Sequence, residues 1–490
     1  MDYISTRGQD GPLGYEEALL SGLARDGGLY LPTTYPQFTV DEIRDMAGLS
    51  YAALAGRIMA RFTGGEIGEA ELTAMAGDAY ADFTDPDIAP LRPLNDRIHV
   101  MELFHGPTIA FKDYAMQFLS RAFDRALRSA GRQAVILGAT SGDTGSAALE
   151  AFKGRDAVDI FILFPEGRVS PVQQRQMTSV IAAGAHAVAV AGDFDDCQAI
   201  VKTLFNDHAF RDEVNLSAVN SINWARLMPQ IVYYFKAALA LGAPDRPVAF
   251  SVPTGNFGNV FAGYVAMRLG LPIERLIIAS NRNDILTRFF EDGAMRRETV
   301  IPSLSPSMDI QVSSNFERLL FELMGRDGAA VAEIMARFAD TGSFALPEQA
   351  MQAARAIFTA YRLDDEGTIA EIARSEAEGM LLDPHSAVGV SAARRAVADG
   401  TLGASVPVVA LACAHPAKFQ DAVTRATGHE PALPPHLANL MSREEAMQHA
   451  PASADAVKDM ILNMRRACLL YTSDAADEGL GVDLGGRRII

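Results

Sequence analysis

Cysteine is scarce in this sequence of 490 residues: Cys197, Cys413 and Cys468 are the three, and their spacing shows no pair. A disulfide framework and a cysteine-based zinc site are therefore excluded, and the scarcity is typical of a protein of the reducing cytoplasm. The nine histidines are scattered without a His-Glu-x-x-His pattern, so we predict no metal site.

Long apolar runs and an excess of positive charge are also missing. No uninterrupted apolar stretch reaches the roughly 18 residues of a membrane span, and the first residues lack the basic and then apolar run of a signal peptide. The formal net charge of -18 disfavours nucleic acid as a partner, and an anionic substrate would need a local cationic pocket. We therefore expect a cytoplasmic protein that binds neither membranes nor nucleic acids.

Apolar segments of strand length alternate with helical patterns beyond residue 88. Several of these segments are continuously apolar, as in a sheet covered on both faces; the clearest are 135–137, 160–164, 187–190, 248–252, 276–279 and 408–412. The alternation predicts a doubly wound α/β architecture. Helices predicted at 227–241 and 259–269 supply covering layers, with Pro229 expected in the first turn of the former, where its missing N–H costs little.

Two glycine-rich loops share one design, each between a predicted strand and a predicted helix. The first is Gly-Ala-Thr-Ser-Gly-Asp-Thr-Gly (138–145), with a helix expected from about Ser146, and the second is Pro-Thr-Gly-Asn-Phe-Gly-Asn (253–259). Glycine lets backbone N–H groups turn inward at the positive end of a helix, so each loop is a candidate anion cradle. Neither matches the common mononucleotide or dinucleotide motifs. One such loop can be a simple turn, but two of them favour two bound anionic groups.

Three further segments carry candidate catalytic groups. In Glu-Leu-Phe-His-Gly-Pro-Thr-Ile-Ala-Phe-Lys-Asp (102–113), the apolar neighbours of Lys112 would lower its pKa and make it a nucleophile and base; the alternative is a surface lysine. Asn-Ser-Ile-Asn-Trp-Ala-Arg (220–226) ends in Arg226, whose planar fork suits phosphate unless it is simply exposed, whereas Trp224 is expected to pack. The segment 411–419 follows an apolar strand, where ligands gather in open α/β sheets.

In this order, the five segments resemble threonine synthases, within the pyridoxal-phosphate-dependent family that includes tryptophan synthase β-chains and cysteine synthases. The resemblance extends from Tyr-Ile-Ser-Thr-Arg-Gly (3–8) to His-Pro-Ala-Lys-Phe (415–419). It implies the α/β fold called type II, with two doubly wound three-layer domains and a mostly helical N-terminal domain. The predicted divisions are an N-terminal domain 1–88, a large cofactor domain 89–133 with 246–430, a smaller mobile α/β domain 134–245 and a C-terminal helical segment 431–467. Residues 468–490 resemble translated sequencing adapter rather than a native tail.

The resemblance also implies pyridoxal phosphate as the cofactor, bonded to Lys112. The cofactor phosphate would be held by Thr254, Gly255, Asn256, Phe257, Gly258 and Asn259. The substrate carboxylate would lie against Thr140, Ser141 and Thr144, with Asp143 near the ring hydroxyl. The substrate phosphate would lie against Asn220, Ser221 and Arg226.

Cys413 and His415 leave alternatives open. Threonine synthases of the longer subgroup usually place threonine where this sequence has Cys413, with its hydroxyl facing the pyridine nitrogen of the cofactor. A thiol is a weaker donor, and the other interpretation of Cys413 is a buried small apolar residue. His415 either polarises a phosphate or has a structural role.

The implied reaction converts O-phospho-L-homoserine and water into L-threonine and phosphate. Lys112 would move protons at Cα and Cβ, and Arg226 would stabilise the departing phosphate. The alternative is a phospholyase that turns the same substrate into 2-oxobutyrate, ammonia and phosphate. A non-catalytic regulatory protein on this fold is disfavoured, because Lys112 and the 254–259 loop are intact. We expect a monomer or a homodimer.

Overall fold

The N-terminal part of the chain is a mostly helical unit. The computed structural model describes residues 1–466, so the segment predicted to be non-native lies outside the described residues. Two short antiparallel strands accompany four helices: β1 (Tyr3–Ser5), α1 (Tyr15–Ser21), β2 (Tyr30–Pro32), α2 (Val40–Asp45), α3 (Tyr51–Met59) and α4 (Glu69–Tyr80). Side chains at the helix starts explain two of these boundaries, since Thr39 caps α2 in a reciprocal pair with Glu42 and Ser50 caps α3.

The middle of the chain alternates strands and helices. Its elements are β3 (Leu91–Pro93), β4 (Ile98–Glu102), α5 (Lys112–Ser129), β5 (Ala134–Ala139), α6 (Asp143–Phe152), β6 (Val158–Pro165), α7 (Pro171–Thr178), β7 (Ala185–Ala191), α8 (Phe194–Asn206), α9 (His208–Glu213), β8 (Leu216–Ser217) and α10 (Trp224–Ala240).

The alternation continues to the end of the described chain. The remaining elements are β9 (Val248–Pro253), α11 (Gly258–Arg268), β10 (Ile273–Ser280), α12 (Ile285–Asp292), β11 (Ala294–Arg296), α13 (Phe316–Leu323), α14 (Gly328–Thr341), β12 (Ser343–Ala345), α15 (Glu348–Ile357), β13 (Phe358–Arg362), α16 (Asp365–Ala377), α17 (Pro384–Ala398), β14 (Val408–Ala412), α18 (Gln420–Thr427), β15 (Gln448–Pro451) and α19 (Ala454–Met464). Every helix within residues 1–466 is too short or too polar to span a bilayer.

Two largely parallel sheets organise the catalytic part of the chain. The larger has the order β13-β10-β9-β14-β4-β3, in which only the β3–β4 pair is antiparallel, and the smaller has the order β15-β7-β6-β5-β8 with every pair parallel. All residues of β6, β9 and β14 are buried, which explains why these strands are apolar except for Asp159 in β6 and Ser251 in β9. The α/β fold class expected from the sequence is therefore confirmed.

Helix α10 differs from its predicted course. It begins at Trp224 rather than at 227, because the Asn223 side chain caps it by accepting the Ala225 N–H at 2.9 Å. Pro229 consequently lies in the helix interior, and its expected place in the first turn is wrong. Proline there cannot donate to the carbonyl of the residue four positions earlier, and this costs the helix one internal hydrogen bond.

The C-terminal segment is not purely helical. Strand β15 extends the smaller sheet by pairing with β7, with Gln448 opposite Val188, and α19 packs on α8. The sequence gives little signal for β15, because a strand of four residues has too few positions to show an alternation of apolar and polar residues.

Candidate active site

Lys112 is the first residue of α5 and lies at the carboxyl end of the larger sheet. The preceding loop is tied to the end of β14, because the N–H of Phe111 donates to the Cys413 carbonyl at 2.8 Å. The side chain of Lys112 is only 12% exposed, and its Nζ lies 3.3 Å from Oδ2 of Asp143. Burial lowers the pKa of Lys112, the nearby charges of Lys418 and Arg226 lower it further, and Asp143 acts in the opposite direction. The amine is thus a sheltered nucleophile or base.

Asp143 receives four polar contacts from four parts of the chain. Besides Lys112, they are Lys418 Nζ at 3.0 Å and Gln173 Nε2 at 2.8 Å, both to Oδ1, and Ser307 Oγ at 3.2 Å to Oδ2. Burial would raise the pKa of Asp143, but the two lysines outweigh it and hold the pKa well below its usual range. Asp143 is therefore a buried carboxylate anion that fixes the direction of the Lys112 amine.

The 138–145 loop is stabilised by its own threonine. Thr140 Oγ1 accepts the N–H groups of Gly142 and Gly145 at 3.0 and 2.9 Å, which leaves the hydroxyl proton for another acceptor. Gly142 has a φ of 139°, and a Cβ on it would lie 2.4 Å from Gln173, so glycine is required. Helix α6 begins at Asp143, three residues before the predicted start, and this places the carboxylate at the helix N-terminus.

The 253–259 loop is linked to that carboxylate through Ser307, which lies against Gly255 and donates to Asp143. Phe257 adopts a left-handed conformation with a φ of 63°, which turns the chain from β9 into α11. Asn259 accepts hydrogen bonds at Oδ1 from Tyr233 at 2.6 Å and Tyr234 at 3.1 Å, while its buried Nδ2 has no protein partner within the described residues. A buried amide donor without an acceptor points to a ligand at this loop.

Arg226 is buried in the first turn of α10 and is 4% exposed. Its Nη1 donates to the Val219 carbonyl at 3.2 Å, its Nε has no partner, and it forms no ion pair with a carboxylate of residues 1–466. Burial lowers the pKa of Arg226 to about 10. The expectation of an exposed arginine is thereby excluded, and an uncompensated buried cation requires an anionic ligand.

The two residues predicted to accompany Arg226 lie nearer the surface. Asn220 is exposed, and its Oδ1 accepts the Ile222 N–H at 3.3 Å. Ser221 is half-buried, and its carbonyl accepts a hydrogen bond from Asn315 Nδ2 at 3.1 Å. Asn315 Nδ2 also donates to the Asn256 carbonyl at 3.0 Å, so it links the 220–226 segment to the 253–259 loop. On the 138–145 loop, Ser141 is likewise exposed and Thr144 half-buried.

Cys413 follows β14 directly and is buried, and burial raises the pKa of its thiol. Its N–H donates to Ser386 Oγ at 3.0 Å, and the Ser386 hydroxyl donates to Asp383. Asp383 also accepts from His385 Nδ1 at 2.8 Å. Cys413 is thus a neutral thiol fixed by a polar chain from α17.

His415 and Trp224 are held by contacts that suggest structural roles. His415 Nδ1 accepts the Ala417 N–H at 3.2 Å, and burial lowers its pKa to about 4, so the ring is neutral at pH 7. Trp224 packs against Tyr3 and Phe62 of the N-terminal unit, as expected.

Sequence reasoning missed Lys418, Gln173, Ser307 and the group Asp383, His385 and Ser386. Lys418 stands in the quoted His-Pro-Ala-Lys segment after β14, so its position was a usable signal. Gln173 and Ser307 follow no recognisable pattern, because their chain segments are brought to Asp143 only by the tertiary structure.

Comparisons with known proteins cover nearly the whole described chain. Three family models match: "Threonine synthase N terminus" over residues 2–80, "Pyridoxal-phosphate dependent enzyme" over residues 88–414 and "Threonine synthase, C-terminal" over residues 386–461. The threonine synthase of Pseudomonas aeruginosa is 54% identical over 449 residues, which cover 91% of this chain and 94% of the relative. That of Corynebacterium glutamicum is 41% identical and covers 94% and 98%.

Solved structures give the same result. The pyridoxal-phosphate-bound threonine synthase of Brucella melitensis superposes with a TM-score of 0.93 at 54% identity, covering 95% of this chain and 100% of that one. The yeast threonine synthase superposes with a TM-score of 0.90 at 38% identity, covering 94% and 98%. The chain therefore belongs to the threonine synthase family of pyridoxal-phosphate-dependent enzymes.

Proposed function

We propose that this chain converts O-phospho-L-homoserine and water into L-threonine and phosphate. The observation that carries the proposal is the buried Arg226: its guanidinium has no carboxylate partner in the described part of the chain, and its charge lowers the pKa of Lys112. A phosphate group is the ligand that a planar, desolvated guanidinium binds best. The site thus combines an amine able to move protons with a cation able to hold a phosphate.

The residues present fit pyridoxal phosphate. The unpartnered Nδ2 of Asn259 lies in the first turn of α11, where backbone N–H groups and the helix dipole favour an anion. We assign residues 254–259 to the cofactor phosphate, Lys112 to its aldehyde and Cys413 to its ring nitrogen. When bound, the cofactor withdraws electrons from the substrate carbon atoms next to the amino group.

The chain's own groups then control protons and charge. The Lys112 amine would take the proton from Cα and carry protons at Cβ, and Asp143 would keep that amine in place. Arg226 stabilises the phosphate as negative charge develops on it, and it does so in a water-excluded site where the interaction is strong. The free hydroxyl proton of Thr140 is available to the substrate carboxylate.

The decisive experiment is incubation of the purified protein with O-phospho-L-homoserine, measuring threonine, 2-oxobutyrate and phosphate. We expect threonine and phosphate in equal amounts, and none from Lys112→Ala as the matched control. Release of 2-oxobutyrate and ammonia instead would assign the phospholyase reaction. No consumption of the substrate by a protein loaded with cofactor would overturn both assignments.

Three finer assignments remain predictions from the sequence and belong to this proposal. They are the cytoplasm as the compartment, the choice between a monomer and a homodimer, and the phosphohomoserine contacts of Asn220 and Ser221. Size-exclusion chromatography with light scattering measures the second directly.

A further inference from the structure

Lys418 is a second lysine buried in the site. It ends the 3-10 turn Pro416–Lys418, and its side chain is 0% exposed. Its Nζ lies 3.0 Å from Oδ1 of Asp143 and donates to the Thr108 carbonyl at 3.0 Å. Burying an ammonium group costs several kcal/mol unless it is paired, so a lysine at this place needs a compensating role.

Two lysines therefore share one carboxylate. Lys112 contacts Oδ2 of Asp143 and Lys418 contacts Oδ1, with Gln173 donating to Oδ1 as a neutral partner. Lys418 lies 0.3 Å closer to its oxygen than Lys112 does to the other. A single negative charge cannot fully neutralise two ammonium groups, and the pKa of Lys112 is lowered by burial and by the neighbouring Lys418 charge.

Other charged or titratable groups lie near the cluster of Lys112, Lys418 and Asp143. Arg226 of α10 adds positive charge at Lys112. His385 of α17 lies beside Ser307, whose N–H donates to its Nε2 at 3.3 Å. The carboxylate of Asp113, on α5, accepts the N–H and hydroxyl of Thr108. Burial raises its pKa to about 6, and the Thr108 hydrogen bonds and the nearby charge of Lys418 act in the opposite direction. The Cys413 thiol is kept neutral by burial. Asp143 is thus the anion shared by both lysines.

We propose that Lys418 is a positioning residue that holds the Asp143 charge and thereby leaves the Lys112 amine neutral and nucleophilic. Lowering the proton affinity of one lysine by a neighbouring cation is an established way to activate an amine. Lys418 acts through Asp143 and does not touch the reacting atoms. The inference rests on the proposed role of Lys112 as the lysine that bears the cofactor.

A purely structural role for Lys418 makes a different prediction. Its bond to the Thr108 carbonyl fastens the loop that precedes Lys112, so its loss could simply loosen the site. A looser site would change stability and turnover but would not raise the pH at which Lys112 titrates. The titration of Lys112 therefore separates the two roles.

The experiment measures that titration without substrate turnover. The full-length chain, freed of cofactor, is labelled with trace acetic anhydride from pH 6 to 11, and the Lys112 peptide is quantified by mass spectrometry. Only a neutral amine reacts. We expect Lys418→Met to raise the labelling midpoint by about one pH unit or more, which is about tenfold slower labelling at a fixed pH below the midpoint. The visible band of the cofactor-loaded protein should show a midpoint moved in the same direction.

Two further variants keep the result decisive. Lys418→Arg retains the charge and should keep the wild-type midpoint. This variant tests the proposal even if Lys418→Met does not fold. A shift of a full pH unit in Lys418→Arg would overturn the proposal in favour of a structural role. Lys458→Met removes a half-buried lysine that pairs with Asp207, far from the site in sequence, and should leave the Lys112 midpoint unchanged. A folded Lys418→Met with the wild-type midpoint would also overturn the proposal. Labelling needs no product assay, so its failure is distinct from failure of the proposed reaction.

Discussion

The Nζ of Lys112 lies 3.3 Å from Oδ2 of Asp143, and this contact joins the start of α5, which follows β4 of the larger sheet, to the start of α6, which follows β5 of the smaller sheet. The amine that we assign to the cofactor is therefore oriented by a helix residue that follows a strand of the smaller sheet. Any relative movement of the two sheets would change the direction of that amine.

We expect Lys112→Ala to abolish turnover and the visible band of the lysine-bound cofactor. The substitution removes the only group that we assign to proton transfer, while Lys418 still compensates Asp143, so the fold should persist. Absorbance spectra, product assays and circular dichroism measure the three effects. Lys236→Ala, at a half-buried lysine on α10, serves as the control. A variant that kept the band and normal turnover would show that another amine carries the cofactor.

Arg226→Met should raise KM for O-phospho-L-homoserine by about 10- to 100-fold, the loss of one or two charge-assisted hydrogen bonds. Because the guanidinium is buried without an anion, the variant's free energy of unfolding without ligand should be unchanged or higher. Steady-state kinetics and urea unfolding test the two statements.

Cofactor affinity supplies the control for Arg226. The matched variant is Arg246→Met, at an arginine whose Nη2 donates to the Ser405 carbonyl at the surface. It should change neither the KM for O-phospho-L-homoserine nor the affinity for the cofactor. If Arg226→Met weakened cofactor and substrate equally, the side chain would belong to the cofactor phosphate instead.

Gly255→Ala should weaken cofactor binding about tenfold. A Cβ at Gly255 would lie 2.8 Å from the Ser307 carbonyl oxygen, and relief of this contact would displace Ser307, which also bonds Asp143. Overpacking of this kind costs about 1–3 kcal/mol. Titration of the cofactor-free protein with pyridoxal phosphate measures the affinity. Gly77→Ala is the matched control, because nothing lies within 4 Å of the added carbon and alanine favours its helix. Equal affinities in the two variants would contradict the assigned cradle.

The neutral ring of His415 predicts a pH dependence of stability. Burial lowers its pKa to about 4 in the folded chain, so between about pH 6.5 and 4 the unfolded chain binds a proton that the folded chain does not. Stability is therefore lost as the pH falls through this window, on the order of 2–3 kcal/mol in total. His415→Asn keeps a side-chain acceptor for the Ala417 N–H but cannot titrate, so its free energy of unfolding should fall less from pH 7 to 4.5. Urea unfolding of both proteins at each pH gives the free energies. An equal fall in the free energy of unfolding from pH 7 to 4.5 in the two proteins would refute the prediction.

Much of the site follows from the sequence because parallel strands place their carboxyl ends on one edge. Strands β4, β9 and β14 are neighbours in the larger sheet, so the polar residues after each of them converge: Lys112, the 253–259 loop and Cys413. Apolar runs at 248–252 and 408–412 predict β9 and β14, whereas β4 is not among the predicted strands.

The partners of Asp143 show what the sequence could not reveal. A lysine shortly after a strand reads as a surface residue unless its burial is known, and only the fold shows that Lys418 is enclosed and opposite Lys112. Ser307 and Gln173 reach Asp143 from distant segments of the chain, so no spacing in the sequence predicts their contacts with it. The interior Pro229 was missed for a different reason: the start of α10 depends on Asn223, whose capping bond outweighs the preference of proline for a first turn.

Strand β15 has a consequence for how the chain matures on the ribosome. One edge of β7 is covered by a strand that is translated only after the whole of the larger sheet, so the nascent smaller sheet carries an open, apolar edge from the synthesis of β8 until that of β15. Premature termination before residue 448 would leave that edge exposed, and we expect such fragments to aggregate rather than to accumulate as folded intermediates.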